Sequence, residues 1–378
     1  MNAMSRKKVY FENLDAIRSL AFLMVLIWHL HGYLAPHLGS GFVLDIVRNG
    51  HLGVNLFFVL SGFLITYLLL VEKETTGKIQ LWYFYMRRLL RIWPLYFLVV
   101  VLSMILIPMA THHFNLSLFK DHIWWYLSFT QNFDRIYSGF SGIGNDMPGV
   151  LWSIAVEEQF YLFWPLIILF LPRKSLSFVL SLILVLSLLF RYLNSESETV
   201  LYLHTFSVMS DLAIGALLAI SSLNGKVFHH VMVNLSARQI VLLYLLFIAI
   251  FLSYQKWYSL NTFNLVFERF MISLFFAFFI AEQCFSVHSP LKLGRLPFLG
   301  KIGLISYGLY CTHLLSIMLF QKINIALNLF PLSSGLFLLE SVLCLGFSVL
   351  MAFLIYRFYE KKFLAMRKSF TIIETRKE

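Results

Sequence analysis

Several side chains in this sequence could move protons or hold anions, and they lie in or beside segments too apolar to carry them by accident. Arg18 and His29 fall eleven positions apart in LDAIRSLAFLMVLIWH, close to three helical turns, or roughly 16 Å along one face, so both can line one cavity. An imidazole can take a proton from a hydroxyl or attack an acyl carbon itself. Glu157 and Glu158 are adjacent in LWSIAVEEQFYLFWP. On a helix they point about 100° apart, so one faces a given site and the other is expected to meet a neighbouring helix. A carboxylate beside an imidazole raises its basicity and fixes its tautomer, so Glu157 or Glu158 is expected to orient His29. Arg87, Arg88 and Arg91 in FYMRRLLRIWPLYF can grip phosphates bidentately, although the same charges also mark a membrane loop end. ISYGLYCTHLL adds Ser306, Tyr307 and His313, a polar strip whose Ser306 and Gly308 could equally serve close helix packing.

The elements that must position these groups are membrane helices. The chain is 59% hydrophobic and only 13% charged, beyond what the core of a water-soluble domain of 378 residues could absorb. Apolar stretches near 14–33, 51–71, 93–110, 148–171, 176–193, 203–222, 239–254, 265–285, 302–320 and 335–356 predict an all-α, polytopic protein of about ten spans. Alternate connections divide Lys and Arg unequally. The N-terminus, even-numbered loops and C-terminal tail hold 22, the odd-numbered loops hold 5, and Arg18, Arg191 and Arg269 lie in spans. Because basic loops are retained inside, both termini are expected to be cytoplasmic. The net charge of +11 therefore reads as membrane topology and not as a nucleic-acid surface. Arg18 interrupts the first apolar run and no small-residue cleavage site follows, so that run reads as a retained span and not a signal peptide. Residues 111–147 form a long outward loop rich in His, Asn and Gly that could meet a sugar. Residues 361–378 read as a charged cytoplasmic tail. Cys284, Cys311 and Cys344 lie in apolar runs, with neither disulfide nor metal-ligand spacing.

Five motifs give the chain its likeness to a family. LDAIRSLAFLMVLIWH, GVNLFFVLSGFLIT, RRLLRIWPLY, LWSIAVEEQFYLFWP and ISYGLYCTH, in this order and spacing, resemble those of the membrane-bound acyltransferase 3 family across residues 1–360. The resemblance implies a multi-pass enzyme of the bacterial cytoplasmic (inner) membrane. It would take an acyl group, commonly acetyl from acetyl-CoA and without a metal, to a cell-envelope carbohydrate or lipid-linked sugar. By matching position, Arg18, His29, Glu157 and Glu158 become the candidate catalytic residues, and Arg87, Arg88 and Arg91 the donor-binding ones. Asn55, Ser61, Trp152, Ser153, Tyr161, Ser306, Tyr307 and His313 become candidate substrate-binding or supporting positions. Asn55 stands where the family often has Asp, and Cys311 and Thr312 replace a bulkier pair. The chain is also expected to lack the soluble esterase-like domain that some relatives carry.

Two alternatives stay open on sequence alone. His29 could be a general base or a transient acyl carrier. Intramembrane His, Arg and Glu also build proton relays, so a proton-coupled transporter or flippase of a lipid-linked sugar competes with the enzyme.

Overall fold

The computed structural model describes residues 9–30, 42–258, 260–327 and 337–373. It is 85% helical, with no strand among the described residues. Ten longer helices make the bundle: α1 Leu14–His29, α2 Gly53–Thr76, α3 Leu81–Val101, α4 Trp152–Phe170, α5 Arg173–Leu193, α6 Thr205–Asn224, α7 Ala237–Trp257, α8 Thr262–Phe285, α9 Ser306–Leu327 and α10 Phe337–Ile355. Each overlaps one expected apolar stretch. Among the described residues, eight helical segments are long and apolar enough to cross a bilayer, and a bent pair ending in α9 makes a ninth. With 16 residues α1 falls short of the roughly 20 that a hydrocarbon core asks for.

Three differences from the expected boundaries matter. Helix α3 begins at Leu81 and not near 93, because its arginines are good helix formers and the turn they occupy is helical although not apolar. Arg87, Arg88 and Arg91 therefore sit on a helix that packs into the bundle, not on a loop edge. The stretch at 302–320 is broken. Helix Pro297–Leu304 meets α9 at an angle of 76°, Ser306 Oγ donates to the Gly303 carbonyl across the elbow at 2.9 Å, and a Cβ at Gly303 would overlap the Asp15 backbone. Residues 111–147 are largely helical, with Leu116–Leu127 and Gln131–Ser138 joined by a hydrogen bond between His122 Nδ1 and Asp134 at 2.9 Å. Residues 31–41, which include the end of the first expected span, lie outside the described residues.

Helices α2 and α6 form the closest seam. A Cβ at Gly62 would overlap the Leu212 carbonyl, and one at Gly215 would overlap the Val59 carbonyl. Small residues let the two backbones touch, the main source of helix association where lipid removes the hydrophobic drive. Trp164 Nε1 donates to Thr66 Oγ1 at 2.7 Å, tying α4 to the other flank of α2. The seam places the first half of α2 beside α1 and α4, and so brings the motifs together. Peripheral α5, α7 and α10 leave apolar flanks such as Phe178, Leu242 and Val342 exposed, as lipid-facing helices do.

Candidate functional site

Cavities lined by charged side chains open at two ends of the bundle. At one, residues 9–18, the last turns of α2, the first turns of α3 and residues 367–373 enclose a cavity of about 100 Å³ lined by Arg18, Arg87, Arg88, Arg91 and Arg367. The charged C-terminal stretch reaches this cavity: Arg87 Nη1 donates to the Phe370 carbonyl at 2.7 Å, and Arg87 Nη2 pairs with Glu72 at 3.1 Å. Residues 361–373 thus pack along α3, where the sequence reading had a solvated tail.

A second cavity of about 100 Å³ lies deeper and abuts the first across Arg18, Leu64, Arg88 and Arg91. Its wall includes Ser61 from α2, Ser153, Glu157 and Tyr161 from α4, and Ser306, Tyr307 and Tyr310 from the α9 elbow. Glu157 Oε1 accepts from Ser61 at 2.7 Å and Oε2 from Tyr161 at 3.0 Å. Its neighbour turns away, as the 100° step requires. Glu158 Oε2 accepts from Trp93 Nε1 of α3 at 3.0 Å, while Oε1 is buried without a partner. Arg88 lies 5.5 Å over the Tyr161 ring, and its Nε is buried with no hydrogen bond. Arg18, at the junction of the two cavities, is paired with Asp15 at 2.5 Å.

His29 lies beyond this cavity, and its partner is not a glutamate. Both carboxylates are engaged as above, and His29 makes no hydrogen bond with any described residue. Two rings lie beside it, those of Trp28 and His313, with centroids 4.5 and 4.8 Å away. The expectation that Glu157 or Glu158 orients His29 is therefore corrected: the helical step aims Glu157 at Ser61 and Tyr161, and Glu158 at Trp93. His313 is fully buried, and its Nδ1–H donates to the Tyr310 carbonyl at 2.7 Å. That bond leaves Nε2 as the lone-pair nitrogen, and Nε2 has no partner. Tyr310 also exchanges a 2.5 Å hydrogen bond with Ser153, one helical turn before Glu157. Polar groups thus step from Glu157 to Ser153, across to Tyr310, and along α9 to His313 and His29.

Of the other expected positions, Tyr307 donates to the Ile92 carbonyl at 2.7 Å, while Ser306 closes the elbow. Trp152 stands between Phe58 and Tyr202, with ring centroids at 5.9 and 5.0 Å. Asn55 is buried in α2 but lines neither cavity. Sequence reasoning left unassigned a charged framework at the opposite end. Arg269 lies 2.7 Å from Asp211, and Arg191 lies 2.8 Å from Glu268, which also accepts from Tyr254 at 2.6 Å. The signal was available, since Asp211 and Glu268, like the two arginines, are ionisable groups in apolar runs. Nothing in the spacing paired them. Among the described residues no group of three or more His, Cys, Asp or Glu could hold a metal ion.

This arrangement sits in a chain with clear relatives. The model of the acyltransferase domain matches residues 11–357. A Staphylococcus aureus (strain COL) protein, provisionally named an O-acetyltransferase, is 30% identical over 334 residues, or 82% of this chain and 51% of that protein. The O-acetyltransferase OatA of Staphylococcus aureus (strain NCTC 8325) is 36% identical over 226 residues, 56% of this chain and 34% of OatA. The chain spans about half the length of the first of these relatives and about a third of the second. No solved structure matches it. With motifs, all-helical bundle and a family model covering nearly the whole sequence in agreement, the chain belongs to the acyltransferase 3 family of multi-pass membrane proteins.

Proposed function

We propose that the chain moves an acyl group, acetyl in the first instance, from a cytoplasmic acyl-CoA to a hydroxyl of a cell-envelope carbohydrate, with His29 at the meeting point. The observation that carries this reading is the pair of abutting cavities. An arginine-lined mouth leads past Arg18 and Arg88 to an interior chamber, and His29 stands at the far end of the helix that carries Arg18. Phosphates of the donor suit the arginine end, where the Arg88 Nε lacks a partner. The uneven spread of Lys and Arg supports a cytoplasmic placement for that end.

In the reaction the acceptor hydroxyl gives its proton to His29, the oxygen attacks the thioester carbon, and the C–S bond breaks. The proton then passes to the departing thiolate. His313 Nε2, a buried acceptor, can take the other imidazole N–H of His29 and so hold the base in one tautomer. In the carrier version His29 itself is acylated first. The two versions differ by one adduct: a trapped acyl-imidazole with burst kinetics marks the carrier, and ternary-complex kinetics without it marks the base.

The deciding experiment is mass spectrometry of envelope glycans and glycolipids from cells with the wild-type gene, a deletion and His29→Ala. One acyl mass lost in both mutants, about a 10²–10⁴-fold fall in rate for the variant, is the expected result. Unchanged acylation with an accumulating lipid-linked precursor would replace the enzyme by a transporter.

A further inference from the structure

A third cavity, of about 180 Å³, opens at the end of the bundle opposite the arginine mouth. It is built from His51 and Leu52 ahead of α2, Arg191 at the end of α5, residues 198–202, the last turn of α7 and the first turns of α8. We infer that this cavity is the acceptor subsite, and that it takes one neutral, ring-sized sugar residue by stacking on tyrosine and hydrogen bonding to hydroxyls. The inference rests on the acyl-transfer reading given above.

The charges in its wall argue against an anionic ligand. Arg191 spends its donors on the carbonyls of Val266, Leu201 and Leu265, on Ser207 Oγ and on Glu268. Arg269 is held by Asp211, its guanidinium 5.8 Å over the Phe58 ring. Two arginines against Asp211, Glu268 and Glu198 leave the wall without net positive charge, and Arg269 Nη2, which makes no hydrogen bond, lies 2.7 Å from the Asp211 carboxylate that neutralises it.

The other valences left open are those of neutral hydrogen-bonding groups. Among the described residues the hydroxyls of Tyr202 and Tyr258 make no hydrogen bond. Gln255 commits its amide nitrogen to Asn49 Oδ1 at 2.7 Å, which leaves Oε1 as an acceptor. His51 donates Nδ1–H to the Arg48 carbonyl at 2.8 Å, which leaves Nε2 as another. Aromatic surface comes with them: Tyr254 and Tyr258 are stacked at 4.9 Å, and the Tyr202 ring lies 6.1 Å from His51. A few donors and acceptors set among aromatic faces suit a molecule with an apolar C–H face and a hydroxylated edge.

Position completes the case. Trp28 precedes His29 in α1 and packs on its ring at 4.5 Å; on its other flank it lies 6.5 Å from Tyr202 and 6.4 Å from His51. A sugar in this cavity is therefore one aromatic ring away from His29, on the side that the donor cavities do not occupy.

The test uses the purified full chain in detergent with labelled acetyl-CoA and a panel of hexose and N-acetylhexosamine oligosaccharides, free and polyprenyl-diphosphate-linked. Tyr202→Phe loses one hydrogen bond to the sugar, Gln255→Ala loses one to the sugar and its bond to Asn49, and both keep the charged framework. Each is expected to raise the acceptor KM about tenfold, leaving the acetyl-CoA KM and acceptor-independent CoA release within about twofold. Whichever acceptor form responds identifies the source of the sugar. Wild-type transfer with an unchanged acceptor KM in both variants would overturn the subsite alone. A wild-type chain that neither releases CoA nor transfers label would overturn the acyl-transfer reading as well.

Discussion

Arg88 and Arg191 both enter the bundle from apolar helices, but they are treated in opposite ways. Arg191 is fully buried and saturated by carbonyls, Ser207 and Glu268. Arg88 has the Tyr161 and Phe84 rings about it at 5.5 and 5.7 Å, shares its cavity with Glu157, and has an Nε without a partner. A saturated arginine is a structural post, since its desolvation is offset inside the protein. An unsaturated one lining a cavity is prepared for something that arrives. The two ends of the bundle divide accordingly, with arginines outnumbering carboxylates around the proposed donor cavities and arginines matched by Asp211, Glu268 and Glu198 at the other end.

The largest effect that could break this comparison is expected at the saturated end. Asp211→Ala strips the buried Arg269 of its partner, at a cost of about 3–5 kcal/mol. Detergent-solubilised protein followed by gel filtration across a temperature ramp should lose its folded peak early or never show one. Wild-type behaviour would mean that the framework is not what holds this end. At the unsaturated end Arg88→Ala should leave the melting profile nearly unchanged and weaken acyl-CoA binding by about 10–100-fold, the worth of a charge-assisted contact. A competition assay with CoA and with phosphate-free pantetheine sharpens the point. If Arg88→Ala affects both alike, the phosphate assignment falls. The smallest effect separates the adjacent carboxylates. Glu157→Gln, which disturbs the Ser61 and Tyr161 bonds inside the chamber, should lower kcat about tenfold, and Glu158→Gln, which faces Trp93, less than about threefold. Equal losses in steady-state rates would show that orientation on α4 does not decide which of them matters.

How much could be read from the sequence differs between residues for physical reasons. Helix existence was legible because twenty apolar residues in a row have few other destinations. The opposite facing of Glu157 and Glu158 was legible because helical geometry fixes the angle between neighbours. The start of α3 was not, since apolarity stops before the helix does and Arg87–Arg91 are helical without being apolar. Nor was the elbow before α9, which depends on the close approach of Gly303 to the Asp15 backbone, a contact 288 positions away along the chain.

By itself the sequence determined the class of protein, the family and the order of the candidate residues along each helix, because all of these are local or compositional. Only the tertiary structure decided who meets whom. His29 received His313 instead of a glutamate, Arg269 received Asp211, and the charged C-terminal stretch returned to the arginine cavity. In a bundle whose helices are all apolar, lipid gives no hydrophobic preference for one pairing over another. Backbone approach at small residues such as Gly62 and Gly215, and the need to satisfy each buried polar group, made that choice.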